Sequence, residues 1–236
     1  MIRNIKTIMR QDREPYRIPR RVQDVIPIQC VWPDGIFKVG IKFSKTYRFT
    51  DINYKVASRN DKETMFLAYS ELLNSLDCAA TTKLTICNRR QSQADFEQSV
   101  LMPMREDGLD KYRREYNQML MDKATGANGI TQEKYVTITV YKRDIEDARA
   151  YFTRIGADLT ARFAALGSKC VELDATDRLR ILHDFYRAGD EGNFHFDMAD
   201  MARKGHDFRD YICPDGIEKH SDYLKLGDRY CRVLFL

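Results

Sequence analysis

The chain has 236 residues, 43% of them hydrophobic and 31% charged, which excludes a disordered polypeptide and leaves room for one large domain or two small ones. No apolar run approaches the ~18 residues needed to cross a bilayer, and the basic N-terminus leads into no secretory apolar segment, so a cytoplasmic protein is expected. The net charge of +4 has an address: residues 1–30 hold seven Lys and Arg against three Asp and Glu, while the remainder holds 32 of each.

Residues 1–30 include Pro15, Pro19 and Pro27 and show little periodicity, so they read as a basic, mostly extended arm. A single domain is expected over 31–236. Pro33-Asp34-Gly35 forms a turn signal before the strand-like IFKVGIKFSKTYRF. Asn60 and Glu63 resemble a capping box, and Phe66, Tyr69, Leu73 and Leu76 recur at helical spacing, which predicts a helix over about 61–76. In KLTICNRR, Leu84 and Ile86 alternate with Lys83 and Thr85, as in a half-buried strand.

A helical stretch is expected from Ser92 onward, interrupted near Pro103 to Gly108. Its second half has Leu109, Tyr112, Tyr116 and Leu120 on one face, read as core, and ends at GANG, 126–129. KYVTITVYKR is the clearest strand, with Val136, Ile138 and Val140 on one face. The clearest helix follows, with Asp144 as cap, apolar residues from Ile145 to Leu166 at threes and fours, and Gly167 as stop. A short strand KCVELD, a helix capped by Thr176 and running to about Arg187, and a smaller helix ending near Gly205 complete the body. DYLKLGDRYCRVLFL closes the chain as a hairpin turning at Gly227-Asp228. The fold class expected is α+β, a mixed or mainly antiparallel sheet with helices on one side and a closing C-terminal β-hairpin.

The chemistry-bearing patterns are sparse. None of the twelve glycines precedes a lysine, so a G-x-x-x-x-G-K-[ST] phosphate loop is absent from this sequence. Cys30, Cys78, Cys87, Cys170, Cys213 and Cys231 form no C-x-x-C pair and read as reduced, mostly buried thiols. Three imidazole–carboxylate neighbours, His183-Asp184, His195-Asp197 and His206-Asp207, are of the type that metal-dependent phosphohydrolases gather. Without ligand spacing they read instead as solvated or backbone-capping groups. In KFSKTYRF, Lys42, Lys45 and Arg48 interleave with Phe43, Tyr47 and Phe49, which offers base stacking plus phosphate contact, or simply an ordinary strand with aromatics inside. The basic contact surface expected is Arg13, Arg17, Arg20 and Arg21 of the arm with Arg89 and Arg90. From the residues alone the chain is a non-catalytic α+β module. The alternative is a nucleic-acid-binding domain using the arm and strand 42–49.

Longer stretches carry a resemblance. IPIQCVWPDGIFKVG, FTDINYKVAS, LAYSELLNSLD, TTKLTICNRR, EYNQMLMDKATGANGI, GSKCVELDATDRLRILHDFYR and KGHDFRDYICPD resemble the N-terminal region of conjugal-transfer ATPases of the CagE/TrbE/VirB family, in the branch carried by conjugative elements of Gram-positive bacteria. The likeness spans about residues 22–236. It implies an excised N-terminal part of a longer protein, in which YCRVLFL is internal and a RecA-like ATPase domain follows. ATP and Mg would belong to that missing domain; no cofactor, metal or catalytic residue is carried onto this chain. The implied role is docking and assembly in a type IV secretion channel at the inner face of the cell membrane, during conjugative DNA transfer. Implied partners are inner-membrane components of the channel and neighbouring subunits of a hexamer, with the basic arm meeting anionic lipid or an acidic partner. An exposed hairpin edge would let the isolated piece self-associate through its last strand; that and DNA contact are left open.

Overall fold

The computed structural model describes residues 19–52, 54, 57–90, 101–126 and 130–234. The fold is α+β, as expected. Strands β1 (Cys30–Val31), β2 (Phe37–Val39), β3 (Lys42–Phe49), β4 (Thr81–Arg90), β5 (Ile130–Tyr141) and β6 (Cys170–Glu172) form one antiparallel sheet. Its order is β1-β2-β3-β5-β4, and β6 pairs with β3 beside β2. The helices are α1 (Arg59–Asn74), α2 (Asp110–Gly126), α3 (Ile145–Ala165), α4 (Ala175–Tyr186) and α5 (Met198–Lys204). A separate antiparallel sheet of β7 (Ile217–Lys219), β8 (Leu224–Leu226) and β9 (Arg229–Cys231) closes the described chain.

Strict alternation sorts β3 and β5 into two faces. Phe43 and Tyr47 of β3 lie with Val136, Ile138 and Val140 of β5, all buried against Ala148, Phe152, Ile155, Leu159 and Phe163 of α3 and Leu72 of α1. The 3.6-residue period of α3 delivers that apolar stripe, and Asp144 caps it by accepting the Asp147 N–H at 2.9 Å. Phe49 stacks on Phe163 with ring centroids 4.9 Å apart. Lys45 shares this buried face because its ammonium reaches Glu172 of β6 at 2.5 Å.

The opposite face is covered too, which corrects the expectation of helices on one side. There Leu179 of α4 packs with Phe37, Ile26, Ile28, Phe194, Phe208 and Ile212. The last residues of the stretch 1–30 therefore belong to the body of the fold, since Ile26 and Ile28 are buried and Cys30 pairs with Lys38. Residues 1–18, including Arg13 and Arg17, lie outside the described residues.

Several local expectations need correction. The run IFKVGIKFSKTYRF is two strands, β2 and β3, joined at Gly40-Ile41. Ser58, not Asn60, caps α1, accepting the Asp61 N–H at 3.2 Å. Asp174, not Thr176, caps α4, accepting the Asp177 N–H at 2.8 Å. Shifting the cap shifts the helix start, and a carboxylate or hydroxyl one or two residues earlier serves equally well. Only Cys170 and Cys213 of the six thiols are buried, though all six are free. The helix expected from Ser92 falls on 91–100, outside the described residues, as do residues 127–129 of GANG and the last two residues of the chain. The turn at Gly227-Asp228 stands between β8 and β9, which with β7 make a three-stranded sheet.

Burial makes this core alkali-sensitive. It pushes the Cys170 thiol up to about 11 and raises the Tyr47 phenol further, with Glu172 reinforcing both. Above pH 9 the folded state then holds protons that the unfolded chain releases, so stability falls as pH rises from 9 through 11. Thermal melts are expected to show Tm dropping across that window, and Tyr47→Phe is expected to flatten the part above pH 10. A Tm independent of pH there would contradict the burial of these groups.

Candidate functional site

The structure leaves two helices with apolar faces that nothing covers among the described residues. On α1, Leu72 is the sole buried side chain. Phe66, Tyr69 and Leu73, whose spacing predicted the helix, are exposed, Phe66 by 65%. On α2 no described side chain is buried. Leu109, Tyr112, Tyr116 and Met119 stand out to solvent, Tyr112 by 65%, which corrects the reading of this stripe as core. Both stripes step i, i+3, i+7, the spacing with which one helix offers a seam to another.

Neither helix is poorly made. The α2 start is knitted by Arg113, whose guanidinium binds both Asp107 and Asp110. It holds the Asp107 carboxyl below its usual range, and at Asp110 the Arg105 backbone N–H does the same, with Arg113 adding to it. Asn117 clasps the preceding strap, donating to the Met102 carbonyl and accepting its N–H, each at 2.9 Å. The helix thus forms by local bonds while its apolar stripe stays free.

The edge strand β4 adds a third apolar element. β5 pairs with β3 only from Lys134 to Tyr141, and beyond that with β4 alone out to Ile130 opposite Arg90. Leu84 and Ile86 share the face of Val136 but are exposed by 54% and 52%. The alternation holds; among the described residues the covering layer stops short of this edge.

The candidate basic surface is dispersed. Arg20 and Arg21 are exposed at the described end of the arm. Arg89 is engaged inside the protein, bound to Asp184 at 2.5 Å and Glu133 at 3.2 Å. Of Arg90 only the backbone is described, paired opposite Ile130. Phe43 and Tyr47 are buried in the core and Lys45 is paired with Glu172, so strand 42–49 offers no stacking platform.

The His-Asp neighbours take three different roles. Asp184 serves Arg89, with His183 buried beside it at 3.2 Å. Asp197 caps α5 through the Ala199 and Asp200 N–H groups. Asp207 accepts the Arg209 N–H at 2.9 Å and caps a short 3-10 turn. Among the described residues no three His, Cys, Asp or Glu side chains converge as a metal site requires. No described helix is long and apolar enough to cross a membrane. No protein-family model matches the chain, and a search of curated proteins finds none that matches it.

Proposed function

We propose that this chain is a non-catalytic docking and assembly module, acting as the N-terminal domain of a conjugation ATPase in a type IV secretion channel. The observation that supports it most is the pair of uncovered apolar stripes on α1 and α2. A monomer gains nothing from leaving Phe66, Tyr69, Leu73, Tyr112 and Tyr116 in water, whereas an assembly buries them.

The occupant is a second copy of the chain. Two different stripes of like spacing on one molecule suit a head-to-tail contact, α1 of one subunit against α2 of the next. Contacts of that kind close into rings when the rotation between subunits allows. The ring is what the sequence resemblance implies for the full-length protein.

Sedimentation velocity over a concentration series tests the contact. Self-association is expected, and Phe66→Glu or Tyr116→Glu is expected to weaken it by roughly 30-fold, as loss of an aromatic anchor does. A chain that stays monomeric throughout would remove the subunit contact. In donor cells carrying the intact gene, the same substitutions are expected to lower DNA transfer. Unimpaired transfer would remove the conjugation role.

A further inference from the structure

On the sheet face opposite α1 and α3, a cavity of about 210 Å³ lies between α4 and the strands. Its floor is unusual for a sheet under a helix. Phe37 and Tyr135 of the sheet, with Ile28, Ile181 and Leu182, give it apolar walls, but between them Thr46, Thr137 and Lys83 form one cross-strand row, with Ser44 and Thr85 also lining the space. Small hydroxyl-bearing residues leave the volume unfilled and furnish polar groups around it. Thr46 and Thr137 share one hydrogen bond at 2.9 Å, which leaves each with further capacity.

Two cations serve this space without a counter-ion among the described residues. Arg178 of α4 is 8% exposed and lines the cavity. Its Nη1 donates to the carbonyls of Gly35 and Ser44, both at 2.7 Å, and its Nη2 donates to Ser44 Oγ at 3.1 Å. One N–H on Nη2 and the Nε–H remain without an acceptor among the described residues. The guanidinium lies over Phe37, 3.8 Å from the ring centroid, and no described carboxylate pairs with it. Burial pulls its pKa down to about 9, the sign of a charge that lacks compensation. Lys83 is exposed on the edge strand β4 and forms no ion pair among the described residues, so it stands at the mouth.

We infer that this cavity binds a small oxyanion, a phosphate or carboxylate group held between Arg178 and Lys83 with the threonine hydroxyls around it. A guanidinium with donors to spare matches an oxyanion's planar edge, and the hydroxyls complete its shell. Neighbouring Glu133 does not oppose it: its carboxylate is taken up by Arg89 and the Tyr135 hydroxyl. The cavity lies on the face away from the α1 and α3 layer, so it stands whether or not the subunit contact forms.

The test is a titration of the ¹⁵N-labelled chain with inorganic phosphate, and separately with acetate, at constant ionic strength set by potassium chloride. Saturable shifts are expected at the Thr46, Thr85 and Thr137 amides. Lys83→Ala, an exposed change that leaves the fold intact, is expected to weaken binding about tenfold, the loss of one charge-assisted hydrogen bond. Whichever probe binds more tightly identifies the group. Shifts that never saturate, that map elsewhere, or that Lys83→Ala leaves unaltered would overturn the site.

Discussion

Phe152→Ala is expected to lower the unfolding free energy by about 3–5 kcal/mol, the range for deleting a fully buried aromatic. Phe152 is wholly buried in the middle of α3, edge-on to Tyr151 with centroids 5.6 Å apart. Its carbonyl also accepts the Tyr47 hydroxyl at 3.3 Å, tying the helix to the centre of β3. Removing the ring opens a cavity at the point where α3 meets the sheet, and the surrounding β-branched and aromatic side chains have little freedom to refill it. Chemical denaturation reads the change directly as a shift in midpoint. The contrast is Tyr112→Ala on α2, expected to stay within about 0.5 kcal/mol because that ring touches mainly water. A loss below about 1 kcal/mol for Phe152→Ala would mean the α3 cluster is not the principal core.

That contrast also marks what the sequence reveals. Periodicity reports that a set of residues shares a face. It does not report whether anything covers that face. For α3 the two coincide: the stripe from Ala148 to Leu166 is buried as predicted, with Ile145 half-buried at its start and Asp144 and Gly167 at its ends. For α2 they part, since an equally regular stripe of Leu109, Tyr112 and Tyr116 is left in solvent. Leu84 and Ile86 show the same limit on a strand. Their alternation is real, but among the described residues β4 is the edge of the sheet and the helical layer ends before reaching it.

The cavity was hidden for the opposite reason. Thr137 and Thr139 on β5 read as the solvent side of a one-sided sheet, because threonine is as common on wet faces as on half-buried ones. Only the placement of α4 over that face turns Thr137 into a cavity floor. Arg178 gives no sequence signal at all, as one basic residue in an amphipathic helix is ordinarily solvated. Its burial follows from the position of the Pro33-Asp34-Gly35 turn, whose carbonyl at Gly35 it caps.

Gly35→Ala is the sharpest test of that junction, with an expected loss of about 3 kcal/mol or more. Gly35 has φ +75, the left-handed region where a Cβ alone costs about 1–2 kcal/mol. A Cβ there would also stand 2.1 Å from the Leu173 carbonyl oxygen, a backbone atom that no rotamer change can move. Relief requires prising the turn away from the link between β6 and α4. That motion breaks the Ala175 N–H bond to the Pro33 carbonyl at 3.3 Å and the Arg178 bond to Gly35 at 2.7 Å. Gly40 is the control: its φ of +60 is similar, yet a Cβ there meets nothing within 4 Å. Gly40→Ala should therefore show the conformational cost alone, about 1 kcal/mol. The excess at Gly35 measures the contact between turn and α4, and the same variant is expected to weaken phosphate binding by loosening Arg178. Equal losses at the two glycines would mean the turn does not pack against Leu173, and the support for Arg178 would fall with it.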